Sequence, residues 1–409
     1  MGRTFIIVGA GLAGATAAGS LRGQGFAGRI VLIGAEQELP YDRPPLSKDY
    51  LQDKSEKAKI YVHPRQWYAD NDIELRLSTR VTAIDRVART VTLEGGERLG
   101  YDKLLLATGA SPRRLKVPGA ELEGVRYLRN VNDCEALKAT FAEAKRVVIV
   151  GAGWIGLESA VAARAAGCDV TVLGTGGLPL VKVLGPQVAQ LYAALHRRHG
   201  VEFKLGVAVA EITGDSGRVA GVRLADGTLI RADAVVVGIG ATANSALADA
   251  AGLAADDDGI VVDEHMATTD PDVFAAGDVA TTYYPHLGLH LRLGHWSAAR
   301  RQPPVAAAGM MGQADSYDNV PYFFSDQYEM GMEYLGYVPP DSAAEVVFRG
   351  DVATGRYLVF WLGPERVLAG MNVNIWHLTG AIRDLVRSGA RVDRAKLADP
   401  AVPLDEVLV

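Results

Sequence analysis

The stretch that decides the fold is TFIIVGAGLAG, residues 4–14, in which a run of β-branched and aromatic residues ends in three glycines. Such a run fits a strand buried on both faces of a parallel sheet. In the pattern Gly-x-Gly-x-x-Gly the first glycine makes a tight turn, the second lets a pyrophosphate approach, and the third lets the following helix lie close to the strand. The pattern predicts a dinucleotide site at a helix N-terminus, where amides and dipole face the phosphates.

The residues after this loop complete the unit. An alanine-rich stretch, 15–21, follows as the predicted helix, and the aliphatic run at 30–33 predicts the second strand. Glu36 comes about 20 residues beyond the last glycine, where a ribose-binding carboxylate is expected. The first unit therefore has every part of a dinucleotide site.

A second copy, RVVIVGAGWIG at residues 146–156, repeats this frame with a predicted helix at 160–166 and a strand at 170–173. Its strand-end acid is missing, because Gly174 follows the strand and begins the run Gly174-Thr175-Gly176-Gly177. An acid there would bind the ribose hydroxyls and repel a 2′-phosphate, whereas an arginine would accept that phosphate. The second loop therefore predicts a nicotinamide nucleotide site, and the choice between NADH and NADPH stays open.

A further duplication follows each glycine unit. Residues 81–110 and 209–241 each read as two alternating strands, with turns at 94–97 and 226–227, and then a buried strand that ends in small residues. This repetition predicts an α/β chain with two Rossmann-like dinucleotide-binding domains, one inserted in the other.

Composition limits the remaining functions. The 409 residues carry a net charge of -6, which argues against general nucleic-acid binding but leaves room for a local basic patch. No apolar run approaches the roughly 18 residues of a membrane span, and the N-terminus lacks a signal-peptide layout, so a cytoplasmic location is expected. The two cysteines, Cys134 and Cys168, have no Cys-x-x-Cys spacing. Neither a metal site nor thiol chemistry is therefore expected.

Further motifs occur in order along the chain: PYDRPPLSK (40–48), ATGA (107–110), GAGWIGLE (151–158), FAAGDVA (274–280), PYFFSDQY (321–328) and MNVNIW (371–376). Together they resemble the FAD-dependent NAD(P)H:ferredoxin reductases, the bacterial enzymes that serve Rieske oxygenases and haem monooxygenases, whose fold apoptosis-inducing factor shares. The resemblance implies an FAD domain (1–112 and 242–318), an NAD(P)H domain (113–241) and a C-terminal α+β interface or dimerisation-type domain with an antiparallel sheet (319–409). FAD would bind the first glycine unit and NADH, with NADPH possible, the second.

The resemblance also assigns roles. Lys48 and Glu158 are the expected catalytic residues, with Glu158 projecting from the first helical turn towards the nicotinamide; the alternative is a carboxylate that only favours the positive helix end. Asp278 would bind the ribityl chain of FAD, with a helix N-cap as the alternative. Arg43 and Lys48 would contact the diphosphate and the isoalloxazine; without the resemblance they are a solvated basic loop. The residues expected to bind a cofactor are Gly9, Gly11, Leu12, Ala13, Gly14, Glu36, Arg43, Lys48, Val81, Ala107, Thr108, Gly109, Gly151, Gly153, Trp154, Ile155, Gly156, Glu158, Gly240, Gly277, Asp278, His295, Trp296 and Phe324.

Some features depart from the family or are less specific. His295 and Trp296 resemble the start of the helix that covers the flavin pyrimidine edge, yet Gly294 stands where an acid is common. The aromatic residues of the C-terminal domain are expected to lie mostly in its core; they are Tyr322, Phe323, Phe324, Tyr328, Tyr334 and Tyr337.

The expected partner is an iron–sulfur ferredoxin. Ferredoxins are typically acidic, so a basic patch should receive the partner, although an exposed arginine is commonly just solvated. Candidates for this patch are Arg65, Arg113, Arg114, Arg300 and Arg301. Two other functions stay open: an FAD-dependent NAD(P)H oxidase or quinone reductase, and a redox-sensing flavoprotein with weak nicotinamide turnover.

Overall fold

A computed structural model describes residues 2–256, 258–340, 342–364 and 366–409. The strands are β1 (Thr4–Val8), β2 (Arg29–Ile33), β3 (Ile73–Arg76), β4 (Val81–Asp85), β5 (Thr90–Leu93), β6 (Arg98–Gly100), β7 (Lys103–Leu106), β8 (Ala110–Pro112), β9 (Val125–Arg126), β10 (Arg146–Val150), β11 (Asp169–Gly174), β12 (Val201–Leu205), β13 (Val209–Asp215), β14 (Arg218–Leu224), β15 (Leu229–Arg231), β16 (Ala234–Val237), β17 (Ala241–Ala243), β18 (Ala255–Asp256), β19 (Gly259–Val262), β20 (Val273–Ala275), β21 (Ala280–Tyr284), β22 (Leu289–Leu291), β23 (Tyr322–Gln327), β24 (Met330–Gly336), β25 (Glu345–Arg349), β26 (Tyr357–Leu362) and β27 (Val367–Val373). The helices are α1 (Leu12–Gly23), α2 (Arg65–Asp70), α3 (Val131–Glu143), α4 (Trp154–Ala165), α5 (Val181–Arg198), α6 (Ala246–Ala250), α7 (Trp296–Met310), α8 (Thr379–Ser388) and α9 (Arg394–Ala398).

The chain divides into two compact units. The first contains residues 1–44, 56–111 and 241–319, and the second contains 45–55, 112–240 and 320–409. The PYDRPPLSK motif is therefore split after Pro44, and its last four residues belong to the second unit. The predicted domain boundaries stay predictions.

The first unit is built around a parallel sheet with the strand order β20-β7-β1-β2-β3. Its central strands are wholly buried, as the continuous apolar runs predicted, and α1 and α7 pack against each other beside it. Antiparallel β4-β5-β6 and the mixed sheet β18-β19-β21-β22 complete this unit. One apolar core runs through all of these elements.

The second unit contains the repeated parallel sheet, in the order β12-β11-β10-β16-β9, and antiparallel β13-β14-β15. It also contains the C-terminal antiparallel sheet, in the order β23-β24-β27-β26-β25, whose core includes the apolar face of α8. These sheets confirm the predicted α/β class with two Rossmann-like units and a C-terminal antiparallel sheet.

Several details differ from the sequence predictions. Each antiparallel insert has three strands instead of two, since another turn precedes the predicted one. Helices α1 and α4 begin directly after the second glycine of their loops, earlier than predicted. Of the six C-terminal aromatic residues, all of them described, only Tyr334 is buried. The prediction of a mostly buried cluster is wrong because β23, which carries three of the six, is an edge strand.

No helix in the described part of the chain has both the length and the apolar character needed to cross a membrane.

Candidate functional site

The first glycine loop connects β1 to α1, and its three glycines have different reasons to be there. Gly9 has φ 116°, and a Cβ on it would lie 2.1 Å from the Ala107 carbonyl oxygen. A Cβ on Gly14 would lie 2.0 Å from the Gly9 carbonyl oxygen, so helix and strand pack directly. A Cβ on Gly11 would meet no heavy atom of the described residues within 4 Å. Gly11 is the N-cap of α1, so the open side of this loop fits an anion.

Glu36 follows β2, and neighbouring side chains hold its carboxylate. The Tyr41 hydroxyl donates to one oxygen at 2.6 Å, and Arg43 forms an ion pair with the other at 3.3 Å. The Arg43 guanidinium also lies 5.3 Å from the centre of the Tyr41 ring. The structure therefore brings Arg43 to a predicted site carboxylate through an ion pair that is open to solvent, so the solvated-loop alternative stays open for this residue.

The loop after β7 lies against the segment that follows β17. The Thr108 hydroxyl donates to the Asn244 carbonyl oxygen at 2.8 Å, and the Asn244 amide donates back to the Thr108 carbonyl oxygen at 2.8 Å. Gly109, with φ 71°, accepts the Asn244 backbone N–H. Asn244 was not predicted as a site residue, because its partner lies 136 residues away in the sequence.

The loop after β20 carries Gly277 and Asp278. The Gly277 N–H donates to the side chain of buried Gln302 at 2.8 Å, and a Cβ on Gly277 would lie 2.9 Å from the Ala13 methyl. Half-buried Asp278 begins a turn into β21, not a helix, so the N-cap alternative is wrong. The loop therefore meets the first turn of α1, and Gln302, from α7, fixes its backbone.

Helix α7 begins where predicted, with His295 as its N-cap and Trp296 as its first residue. Burial lowers the pKa of His295 to about 4, although the charge of Asp278 opposes this, so the imidazole is neutral at neutral pH. The Trp296 indole N–H donates to the Asp42 carboxylate at 2.8 Å. Gly294 has φ 59°, a left-handed conformation in which the acid common in the family would be strained.

The second glycine loop repeats the first almost contact for contact. Gly151 has φ 117°, and a Cβ on it would lie 2.2 Å from the Gly238 carbonyl oxygen. A Cβ on Gly156 would lie 2.0 Å from the Gly151 carbonyl oxygen. A Cβ on Gly153, the N-cap of α4, would meet no heavy atom of the described residues within 4 Å. The second loop thus also leaves open space beside a helix N-terminus.

The strand ends differ between the two units. Val8 pairs with Ile33 in the first sheet as Val150 pairs with Leu173 in the second. Counting three residues on from these partners reaches Glu36 in the first unit and Gly176 in the second. The residue that replaces Glu36 is therefore Gly176, whereas Gly174 corresponds to Gly34. A Cβ on Gly34 would crowd Ala10, and a Cβ on Gly174 would crowd Ala152, each an alanine of the adjoining glycine loop.

Glu158 lies in the second unit with its carboxylate almost wholly buried, at 4 % exposure. One oxygen, Oε1, accepts from Lys48 Nζ at 2.7 Å and from the Ser325 hydroxyl at 2.7 Å. The other oxygen, Oε2, accepts from the Ser47 hydroxyl. A buried carboxylate needs such partners, since burying an unpaired charge is costly. The structure thus brings together the two predicted catalytic residues and adds two serines.

This geometry tests the helix-end interpretation of Glu158. The residue is the fifth of α4 and lies in its second turn, so the expected position in the first turn is wrong. The helix macrodipole acts mainly within the first turn. Specific side-chain donors, not the helix end, therefore account for the buried carboxylate. Lys48, 14 % exposed, is no solvated loop residue either.

Aromatic side chains surround this centre within the second unit. Lys48 Nζ lies 5.4 Å from the centre of the Phe324 ring. Half-buried Trp154 packs edge-on against Phe323, at 5.2 Å between ring centres, and against Tyr192, at 5.6 Å. Phe324 therefore lies near the Lys48–Glu158 pair, and Trp154 links the glycine loop to β23.

The remaining predicted residues occupy less specific places. Val81 begins β4 and its side chain is part of the apolar core, whereas Ile155 is exposed beside the second loop. Leu12 is buried in the first turn of α1, and Gly240 has φ 107° in the loop that follows β16.

Both cysteines are buried thiols. Burial raises the pKa of Cys134 to about 12 and also raises that of Cys168, so neither is a thiolate at neutral pH. Among the described residues, no three or more His, Cys, Asp or Glu side chains form a group that could hold a metal ion.

Comparison with known proteins gives a similarity that runs along the whole chain. Residues 3–303 match the family model for pyridine nucleotide-disulphide oxidoreductases, and residues 322–408 match the model for the reductase C-terminal domain. The chain is 43% identical over 406 residues to the anthranilate 1,2-dioxygenase system ferredoxin--NAD(+) reductase component of Burkholderia cepacia, covering 99% of each. It resembles the structure of the ferredoxin reductase for the CYP199A2 system from Rhodopseudomonas palustris with a TM-score of 0.94 and 36% identity, covering 99% of this chain and 100% of that one. The covalent putidaredoxin reductase-putidaredoxin complex gives the same TM-score and identity, covering 99% of this chain and 98% of that one.

Proposed function

Because the chain belongs to the pyridine nucleotide-disulphide oxidoreductase family, we propose that it is an FAD-dependent reductase that carries electrons from NADH to an iron–sulfur ferredoxin serving an oxygenase. The observation that carries this proposal is the pair of matching glycine loops in one chain, each with open space beside a helix N-terminus. FAD suits the first loop, where Glu36 stands at the strand end, and NADH suits the second, as the names of the relatives indicate.

The residues of the chain would act mainly by positioning. Bound FAD would supply the conversion of the two-electron hydride of NADH into single electrons for the partner. Hydride transfer needs no protein acid or base, so orientation would be the main contribution of the protein. Glu158 is well suited to this task. A carboxylate has about four acceptor positions, and Lys48, Ser47 and Ser325 use three of them. The fourth can accept an N–H of the nicotinamide carboxamide.

The test of this proposal follows the flavin absorbance under anaerobic conditions while the purified yellow protein is mixed with NADH and, separately, with NADPH. We expect at least one nucleotide to bleach the flavin within seconds, and NADH to be the faster. Reduction of cytochrome c, measured with and without an added ferredoxin, then separates a ferredoxin reductase from an oxidase or quinone reductase. Sluggish bleaching by both nucleotides would contradict the proposal and favour a redox sensor.

Two exposed arginines of the first unit are the best candidates for docking an acidic ferredoxin. Arg65 is the first residue of α2, and Arg300, on α7, lies 5.3 Å from the Trp296 ring. His63, just before α2, is close enough to Arg300 for that charge to help burial lower its pKa. Arg300 is therefore close to the residues just before α2, the helix that Arg65 begins. Arg301 bonds Asn319, and Arg113 and Arg114 belong to the second unit.

Charge reversal tests this surface. In the variant Arg65→Glu with Arg300→Glu, we expect ferredoxin-coupled turnover to fall at low salt while NADH-dependent reduction of ferricyanide is unchanged. Arg80→Glu is the matched control, an exposed arginine of the same unit. Equal loss with ferredoxin and ferricyanide would contradict the docking role. A cytoplasmic location also stays a prediction.

A further inference from the structure

We propose that Ser325, Gln327 and His196 form a directed hydrogen-bond chain that positions the Glu158 carboxylate for the nicotinamide nucleotide. This inference rests on the proposed function, because it concerns the second cofactor site. None of the three residues lies in a glycine loop: Ser325 and Gln327 lie on β23 of the C-terminal sheet, and His196 lies on α5.

The hydrogen-bond chain is continuous and buried. The Ser325 hydroxyl is 2.7 Å from Glu158 Oε1, Gln327 Nε2 is 3.0 Å from the Ser325 hydroxyl, and His196 Nε2 is 2.7 Å from Gln327 Oε1. Ser325 and Gln327 are each 1 % exposed, and His196 is wholly buried. Ser325 and Gln327 are two residues apart on one strand, so their side chains share a face. Ser325, on the C-terminal sheet, thereby reaches the Glu158 carboxylate, which lies 167 residues away in the sequence.

The carboxylate fixes the direction of every bond in this chain. Ionised Glu158 only accepts, so the single Ser325 hydroxyl proton points towards it. The Ser325 oxygen must then accept from Gln327, which requires the Gln327 NH₂ on that side and its carbonyl oxygen towards His196. The opposite amide orientation would leave two acceptors facing one proton. His196 must in turn donate through Nε2, which is one tautomer of the neutral ring.

The state of His196 agrees with this direction. Burial lowers the pKa of His196 to about 4, although the bond to Gln327 opposes this, so the ring is neutral at neutral pH. A neutral ring has one N–H, and Gln327 receives it. All three bonds therefore point at Glu158, and aligned bonds of this kind strengthen one another. The chain restricts the carboxylate to one orientation and leaves its free acceptor position fixed in space.

The experiment compares single and double variants of the intact protein. Stopped-flow reduction of the bound flavin by NADH gives the limiting rate and the apparent Kd for Ser325→Ala, Gln327→Leu and their combination. Ser325→Thr, which keeps the hydroxyl, is the conservative variant, and Ser342→Ala is the control because Ser342 bonds only a neighbouring carbonyl. Flavin content and thermal melting show whether each variant folds.

Loss of a hydrogen bond to a charged group predicts about a ten-fold or larger loss in limiting rate over Kd for Ser325→Ala. Gln327→Leu should cost less, because the Ser325 hydroxyl remains but is no longer oriented. Since Gln327 acts through Ser325, the double variant should match Ser325→Ala alone. Ser325→Thr should restore most of the loss, and Ser342→Ala should behave as the wild type.

The proposed hydrogen-bond chain is refuted if Ser325→Ala has full flavin content and an unchanged limiting rate over Kd. It is also refuted if the effects of Ser325→Ala and Gln327→Leu add in full. A wild type that neither NADH nor NADPH reduces refutes the proposed function instead and removes the role of the chain with it. Should Ser325→Ala fold poorly, Gln327→Leu and Ser325→Thr carry the test, and equal losses in both would indicate packing and overturn the proposal.

Discussion

Alanine at Gly153 should separate cofactor binding from folding. The backbone at Gly153 is extended, with φ −91° and ψ −173°, so alanine fits without strain. Its methyl group would meet no heavy atom of the described residues within 4 Å. Glycine is the better helix N-cap, but alanine also lowers the entropy of the unfolded chain. These opposing effects predict a change in unfolding free energy within about 1 kcal/mol.

The same methyl group should weaken NADH binding. The second glycine of this pattern lets the pyrophosphate approach the backbone. A methyl group would keep a phosphate oxygen about 1 Å further away and lengthen a bond of about 2.9 Å beyond the hydrogen-bond limit. One lost bond to a charged group costs about 1.5 to 3 kcal/mol, or roughly 10- to 100-fold in the Kd for NADH.

Gly156→Ala is the contrasting variant, because its methyl group would lie 2.0 Å from the Gly151 carbonyl oxygen and force the backbone apart. We expect overpacking to lower the unfolding free energy by about 1–3 kcal/mol or more, and the melting temperature with it. The assays are thermal melting with flavin content, and titration of the flavin with NADH under anaerobic conditions. A Gly153→Ala protein that binds NADH as the wild type does, or that melts like Gly156→Ala, would refute this account of the loop.

Three further predictions follow from other parts of the second unit. Gly176→Glu should raise the ratio of kcat/KM for NADH over NADPH about ten-fold. Gly174→Glu should instead lower the melting temperature, because its Cβ would lie 3.0 Å from Leu205. An unchanged ratio in a folded Gly176→Glu protein counts against the assignment of Gly176 to the position of Glu36. The pKa of His196 is lowered to about 4, so below about pH 6.5 the unfolded chain binds a proton there that the folded chain does not. The contribution of this group to the unfolding free energy is therefore full above that pH and is lost as the pH falls towards 4. Thermal melts from pH 7.5 to 4.5 should therefore fall less steeply for His196→Phe than for the wild type; equal slopes would contradict the buried neutral ring. Arg349, 8 % exposed, donates to carbonyl oxygens of the 396–402 segment. Arg349→Met should leave these oxygens unsatisfied, destabilise the fold by about 2 kcal/mol and make proteolysis begin near the C-terminus. An unchanged cleavage pattern would rule this out.

The elements that the sequence predicted correctly are those whose cause is local. Both glycine loops follow from steric needs within a few residues, and the buried strands beside them are continuous apolar runs. Glu36 was also predictable, since its place at a strand end depends on spacing alone. The PYDRPPLSK motif is a partial success: Arg43 and Lys48 were singled out, but their membership of different units was not.

The partners of Glu158 lay beyond local reasoning. Ser325 is 167 residues from Glu158 in the sequence, and His196 is 131 from Gln327. The packing of β23 against α4 and the bond from Gln327 to His196 on α5 bring these side chains together. A buried serine that follows an aromatic run has no signature in a single sequence, because the same pattern suits an edge strand of any antiparallel sheet.

Segment 45–55 belongs to the second unit and includes the last four residues of the PYDRPPLSK motif. Lys138, on α3, lies 3.6 Å from the Tyr50 ring and forms an ion pair with Asp53 at 2.9 Å. The Tyr50 hydroxyl bonds Glu135 of the same helix. These contacts anchor the segment on α3. The same segment carries Ser47 and Lys48, which both bond Glu158.

The shortest packing contacts are nearly the same in the two glycine loops, 2.1 and 2.2 Å at the first glycine and 2.0 Å at the third, so the loops themselves do not distinguish a flavin site from a nicotinamide site. The difference must come from the side chains that surround them. In the first unit Tyr41 and Arg43 hold Glu36 at the strand end. In the second unit that position is Gly176, and a carboxylate held by side-chain donors, Glu158, lies inside the helix that the loop begins. Polar side chains of the second unit gather instead at Glu158, and the Ser325 hydroxyl is one of them, from the C-terminal sheet.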